Sequence, residues 1–405
     1  MPAPNILWIV TTQWRAQACG FMGDPNARTP CLDELARAGM FFPQAVTPHP
    51  FGPFARAAIL TGRVSPENGV RDYYDPLPNE ARTVARRYRE LGYTTAYFGK
   101  WHLGKKSREA SLVGLEHAKT IVPEAARGGF DFWEGFEGGF QLNDPWLHGT
   151  RLPAPTQFGG YQADVVGERA AGWLSERNRE GQPWFCSVNL ETPHPPYDAP
   201  AAGVERGDPA GIELSPSVPR GGDAEKKART ELAGYYAHIE ATDRAIGRLV
   251  REVAEPNTLV VITSVHGDMH GAHGLFRKGW PHEESVRVPL IVLGAGGEKR
   301  GAQSDLVSLL DLGRLSLEWA GVERATPPPT LQRISMPSVV KLPWQCDRQW
   351  SGVRTASRKL VLNDDGSPWL FFDLENDPGE TTNLVHEPLR RDELAAWCER
   401  ARANG

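Results

Sequence analysis

The sequence lacks any paired-cysteine pattern: Cys19, Cys31, Cys186, Cys346 and Cys398 are odd in number, widely scattered and never in a CxxC pair. That speaks against a disulfide framework and reads as free thiols in a reducing compartment. No run approaches the roughly 18 to 20 apolar residues of a membrane span. The amino-terminal stretch MPAPNILWIVTTQ has no basic leader and only a short apolar run, Ile6 to Val10, so it predicts a buried strand and a cytoplasmic protein. A charge excess is missing as well, with 45 Lys and Arg against 50 Asp and Glu and a formal net charge of -5. Nucleic acid held through bulk charge is therefore not expected, because phosphate neutralisation needs clustered cations. No internal repeat is visible.

What is present is ordinary globular composition over 405 residues, 40% hydrophobic, long enough to bury a core without covalent staples. With 42 Gly and 34 Pro, loops are numerous. Short apolar runs alternate with helical patterns, the signature of a sheet with crossover helices. Ile6–Val10, Thr94–Phe98, Trp184–Leu190 and Thr258–Thr263 read as strands. Cys31–Ala38, a helix opened by Arg56–Leu60, Ala81–Leu91, Asp164–Asn178 and Lys226–Val253 read as helices. Ligand groups in open α/β sheets gather beyond the carboxyl ends of strands, so the loops after Val10, Phe98, Leu190 and Thr263 are where a site is expected. The aperiodic stretch 199–226 predicts a surface excursion or lid. After Gly321 the texture changes, with strand-like runs around Val339, Lys359–Leu362 and Trp369–Phe372 and a helix from Arg390 to Ala403. The division expected is 1–322 for an α/β domain and 323–405 for a small α+β domain.

The loop motifs are specific. PNILWIV, RAAILTGR at Arg56–Arg63, GYTTAYFGKWHLG at Gly92–Gly104, TPHPPY at Thr192–Tyr197, TSVHGDMHGAHGLFRKG, EESVRVPLIV and FDLENDPGETTNL together resemble the sulfatase family of the alkaline phosphatase superfamily, in the family's order along nearly the whole chain. The resemblance implies an alkaline-phosphatase-like large mixed sheet flanked by helices, with a smaller C-terminal α+β domain. It also implies a site in which a formylglycine, made from Cys or Ser, attacks a sulfate ester. A divalent cation, usually calcium, is held there by acids after the first strand and by an S-D-H/N-G segment, while Lys and His side chains clasp the sulfate.

Several of the implied positions are substituted. IVTTQ puts Thr12 and Gln13 where the family has acidic ligands, and TSVHGD puts Val265 where an Asp is expected. The nucleophile position falls on Gly52, or on Phe51 if the segment carries one extra residue, and neither supplies a thiol or hydroxyl. Hard cations need around six to eight oxygen ligands, several of them anionic, so the expectation is no metal and no cofactor. Asp24 and Asp268 are read as loop or capping acids. Arg56, Lys100, His102, His194, His266 and Lys278 all stand at family positions. Arg56, Lys100, His194 and Lys278 are expected to bind substrate; Lys100, His102, His194, His266 and Lys278 to do acid/base or covalent work.

Removing about three carboxylates and one dication leaves the cations less neutralised by roughly one charge, which favours a sulfate, phosphate or carboxylate ligand. Arg56 could grip it bidentately. His49 is a lesser candidate for the vacated space, while His270, His273 and His282 read as loop or packing residues. Trp14, Trp101, Trp133, Trp146 and Trp280 are candidates for an aromatic wall. Three functions stand open. One is metal-independent, formylglycine-independent chemistry on an anionic small molecule. The second is a catalytically silent relative that binds a ligand or partner. The third is a conventional sulfuric or phosphoric ester hydrolase with ligands from elsewhere in the chain. The first is preferred, since paired Lys and His in one cleft serve chemistry. Neither a nucleic acid nor a membrane partner is expected.

Overall fold

The computed structural model describes residues 3–109, 111, 113–253, 255–294 and 299–403. Its strands are β1 (Asn5–Thr11), β2 (Met40–Phe41), β3 (Ala45–Val46), β4 (Thr94–Lys100), β5 (Phe132–Phe136), β6 (Trp146–Gly149), β7 (Thr156–Gln157), β8 (Trp184–Asn189), β9 (Thr258–Ser264), β10 (Leu290–Leu293), β11 (Gly301–Ala302), β12 (Val307–Ser308), β13 (Gln332–Met336), β14 (Trp350–Arg354), β15 (Arg358–Asn363) and β16 (Pro368–Asp373). The helices are α1 (Pro30–Ala38), α2 (Gly52–Thr61), α3 (Val84–Glu90), α4 (Leu115–Ala118), α5 (Gln162–Glu180), α6 (Asp223–Val253), α7 (Glu283–Val286), α8 (Leu312–Trp319) and α9 (Arg391–Ala403). Among the described residues, no helix is long and apolar enough to cross a membrane.

Ten strands form one mixed sheet in the order β11-β2-β10-β9-β1-β8-β4-β5-β6-β7. The central strands β9, β1, β8, β4 and β5 run parallel, with β10 antiparallel against β9. Parallel strands covered on both faces read as unbroken apolar runs, and β1 shows why. Its alternate residues Ile6, Trp8 and Val10 enter one core, while Leu7 and Ile9 enter the other. Register then sets the site. Val10 lies opposite Asn189 and Thr263, and Gly99 opposite Asn189, so β1, β8, β9 and β4 end at one level.

A smaller antiparallel sheet, β13-β14-β15-β16, follows. Val353, Leu360, Leu362 and Phe371 pack under α9 at Cys398 and Ala401, whereas Ile334, Met336, Trp350 and Val361 join the first core. A buried ion cluster fastens this sheet to α7: Arg354 Nη2 and Lys359 Nζ lie 2.8 and 2.7 Å from the Glu283 carboxylate, and Lys359 lies 2.6 Å from Glu380.

Several expectations need adjustment. The helix containing Arg56 begins at Gly52, where Pro53 is pre-set for a first turn, and ends on Gly62 at φ 66. No strand forms at Val339; the pairing runs are Gln332–Met336 and Trp350–Arg354, which sequence reading passed over. Stretch 199–222 is an ordered excursion with a short turn at Pro209–Gly211, pinned by Leu214 and Val218 in the core and by the bond from His273 N to Ser217 O. The five cysteines are free thiols, four of them buried.

A buried cluster of cations and imidazoles at the strand ends

The cluster follows from the common level of the strand ends. Thr12 and Gln13 leave β1, Lys100 closes β4, Glu191 follows β8, and Val265 and His266 follow β9. Gln13 turns there in the left-handed region, φ 71, as does His102 at φ 60. Arg56, Lys100, His102, His194, His266 and Lys278 are all buried in this layer.

Lys278 is the hub. Its Nζ donates to Gln13 Oε1 at 2.6 Å and to His194 Nε2 at 2.9 Å. Burial, reinforced by Lys100, lowers its pKa to about 7. His194 Nδ1 is 2.8 Å from the Pro195 carbonyl, and a carbonyl only accepts, so Nδ1 carries the proton and Nε2 is the acceptor facing Lys278. The same logic holds at His266, whose Nδ1 donates to Gly267 O at 2.8 Å. Its Nε2 is buried and has no partner. Burial, with Lys278 next, holds both imidazoles well below the usual histidine range, so both are neutral.

Arg56 ties strand ends together. Nη1 donates to Lys100 O and Asn189 Oδ1, both at 3.0 Å, and Nη2 donates to Thr12 Oγ1 at 2.8 Å. The expectation of a free bidentate clamp is corrected, since its terminal nitrogens hold protein oxygens and only Nε stays wholly without a partner. The charge count is corrected too. Lys100 Nζ is 2.7 Å from Glu191 Oε1, both buried. An ammonium removed from water keeps its charge only beside such a partner. A second buried pair, Lys106 with Glu137 at 3.2 Å, lies under the His102 loop. Glu191 was missed by sequence reading; its signal was a lone acid in an apolar strand end one strand away from Lys100. One of its oxygens, Oε2, is unpartnered.

His102 and Gly52 meet. A Cβ built on Gly52 would lie 2.9 Å from His102 Nδ1, which is buried without a partner, while Nε2 lies 3.2 Å from Tyr73 Oη. Gly52 is the first residue of α2, and Phe51 before it is buried with Lys278 Nζ 5.8 Å from its ring centroid.

Do these residues fit a calcium ion? Val265 offers no donor, and the Gln13 carbonyl oxygen already accepts from an ammonium. Asp268, read as a loop acid, is instead buried. Its oxygens accept from Tyr197 Oη at 2.7 Å, from the Gln13 amide, and from the His270 and Arg277 backbone N–H groups, and these donors with Arg277 and His270 nearby hold its pKa below the usual range. Asp24 accepts from Tyr236 Oη at 2.6 Å and from Asn26. Among the described residues, no group of three or more His, Cys, Asp or Glu side chains is arranged to hold a metal ion. The donor set does not fit a hard dication.

Other candidates also move. His49 is held by Ser65 N at Nε2, 2.9 Å, and by Ser335 O at Nδ1, 3.1 Å, so both of its ring nitrogens are engaged. Trp14, Trp101 and Trp133 are buried packing residues, with Trp101 edge-on to Tyr97; Trp146 and Trp280 are half-buried. The aromatic face at the cluster is Phe140, stacked on His194 at 4.5 Å with Lys100 Nζ 5.1 Å from its centroid.

A mixed sheet clad in helices, with its polar cluster beyond the carboxyl ends of the parallel strands, defines the architecture of the alkaline phosphatase superfamily. Residues 4–322 match the sulfatase family model, and the chain belongs to the sulfatase family. It is similar to an ulvan-active sulfatase of Formosa agariphila, 32% identical, covering 95% of this chain and 78% of that one. Among solved structures it resembles the putative sulfatase yidJ from Bacteroides fragilis, with TM-score 0.84, 24% identity and coverage of 99% and 97%. A second, at TM-score 0.80 and 21% identity with coverage of 99% and 97%, is in complex with its substrate D-glucosamine-2-N,6-O-disulfate.

Proposed function

We propose that this chain binds a small molecule bearing a sulfate, phosphate or carboxylate group at Lys278 and His194, with Lys100 and Arg56 as the protein-bound cations behind them, and acts on it without a resident dication and without a formylglycine. The observation that carries the reading is the seating of the Lys278 ammonium on Gln13 Oε1 and His194 Nε2. An amine of the chain itself, its pKa lowered to about 7, rests on Gln13, a position where the family places a metal ligand, and an arriving anion favours its charged form. Positive charge there favours an oxyanion, and burial strengthens the attraction.

In this reading a sulfate ester is hydrolysed. The unpartnered Nε2 of His266 takes a proton from water as the water oxygen bonds to sulfur, and the ester S–O bond breaks. The departing alkoxide, hydrogen-bonded by His102 beside Gly52, takes up a proton from solvent while His266 releases one. The kinship to an ulvan-active sulfatase supports a sulfated organic ligand as the starting class. The test is calorimetric titration of inorganic sulfate, followed by a turnover assay on sulfate esters in chelator-containing buffer, with His266→Gln beside the parent. Binding retained and turnover lost in His266→Gln is the expected result. Unchanged turnover would remove His266 from the reaction.

A second reading, a ligand-binding protein without turnover, draws support from Arg56 and Lys100, whose polar atoms are engaged with protein oxygens. Tight sulfate binding with no product from any ester would select it.

A further inference from the structure

Arg56, Lys100, His102, His194, His266 and Lys278 are only 0–8% exposed, so an anion reaches them only if part of the chain moves aside. Phe140 is the place where that cover is a single ring. It is half-buried and lies flat on the His194 imidazole, with 4.5 Å between centroids and 14° between planes. Lys100 Nζ is 5.1 Å from its centroid. The ammonium it caps is paired with Glu191, whose Oε2 is buried without a partner.

The backbone that carries this ring is pinned on both sides. A Cβ on Gly138 would lie 2.8 Å from His117 Nε2, and one on Gly139 would lie 2.8 Å from Ala118 Cβ, so the glycines allow a close approach to α4 that side chains would forbid. Gly114 N donates to Gly139 O at 3.1 Å, and beyond the ring Gln162 N donates to Leu142 O at 2.9 Å. Phe140 itself stands at φ 57, in the left-handed region that bulky residues rarely adopt. Such conformations persist where neighbours fix them, and they gather at ligand clamps. With the flanking bonds in place, the part left to move is the ring, which changes rotamer without breaking a hydrogen bond.

We infer that Phe140 is the gate of the anion site: its ring closes the way to His194 and Lys278 in the free protein and turns aside to admit the ligand. The inference rests on the anion site proposed above and adds how that site is reached. A gate has a thermodynamic signature. When only the open form binds, the apparent affinity is the intrinsic one scaled by the open fraction. Removing a gate therefore tightens the binding of a small anion, whereas removing a ring that contacts the bound anion weakens it.

The test titrates inorganic sulfate calorimetrically into the full chain and into Phe140→Ala and Phe140→Leu. In parallel, acylation of His194 by diethyl pyrocarbonate is followed by peptide mass spectrometry, with the buried His49 and His238 as internal controls. Phe140→Ala should bind sulfate about three- to tenfold more tightly, the scale of the ring and cation–ring contacts released, and Phe140→Leu should fall between. Its His194 should be acylated about tenfold faster, with both controls unchanged. Sulfate binding that is weaker or unchanged in Phe140→Ala overturns the gate alone. Acylation that rises equally at His49, His194 and His238 overturns it by showing a loosened fold. Sulfate bound by Phe140→Ala and not by the parent supports it. Sulfate bound by neither chain overturns the anion site, and the gate with it.

Discussion

Lys278 Nζ lies 2.6 Å from Gln13 Oε1, which makes one buried ammonium the bridge between the end of the first strand and the loop at the C-terminal sheet. The amide at Gln13 serves both neighbours: its oxygen accepts from Lys278 and its nitrogen donates to Asp268, so an acid there would set two buried carboxylates against each other with no dication between them. Replacing Gln13 and Val265 by Asp together should therefore lower the thermal midpoint in chelator and make it rise on calcium addition. The parent should respond to neither. Melting curves in EDTA and in millimolar calcium check this, and a calcium-sensitive parent would contradict it.

The Lys100–Glu191 pair is fully buried. Glu191→Leu strands an ammonium and should cost about 3–5 kcal/mol, whereas adding Lys100→Met to it should recover most of that loss, since both charges then leave together. Denaturant midpoints of the two singles and the double give the coupling. Additive losses would mean that the pair contributes no interaction.

Gly52→Ala introduces a Cβ 2.9 Å from His102 Nδ1, against a ring also placed by Tyr73. Overpacking of this kind costs about 1–3 kcal/mol. The thermal midpoint should fall, and a Gly52→Cys chain should gain no aldehyde-dependent sulfatase turnover. A stabilised Gly52→Ala would show free space at that position.

His49 gives a pH dependence whose sign is fixed. Burial lowers its pKa from 6.5 to about 4, against a smaller raising effect from the bond to Ser335 O. The folded value is below the unfolded one, so the unfolded chain binds the extra proton between those limits. Stability is complete above pH 6.5 and is lost as pH falls toward 4, by about 3 kcal/mol for this group. His49→Phe should remove this one share of the difference between denaturant stabilities at pH 7 and pH 4.5, to which other buried histidines such as His102, His194 and His266 also contribute; an equally steep chain would exclude a contribution from His49.

Motifs carried by the backbone near strand ends were legible, because apolar runs end where Thr12, Lys100 and His266 begin. Contacts that depend on strand order were not. Lys100 meets Glu191 because β4 neighbours β8, and nothing local in either strand encodes that adjacency. Arg56 looked like a ligand clamp because its three oxygen partners come from three separate segments. Burial separates the aromatic candidates for a related reason: Trp14, Trp101 and Trp133, near loops in the sequence, turn into the core.

The most direct test of the central claim, that this chain's own side chains replace the dication in holding an oxyanion, is calorimetric titration of inorganic sulfate into EDTA-dialysed protein, repeated with one equivalent of calcium. The account predicts the same affinity in both, reduced at least tenfold in Lys278→Met. Binding that disappears on chelation and returns with calcium would contradict it.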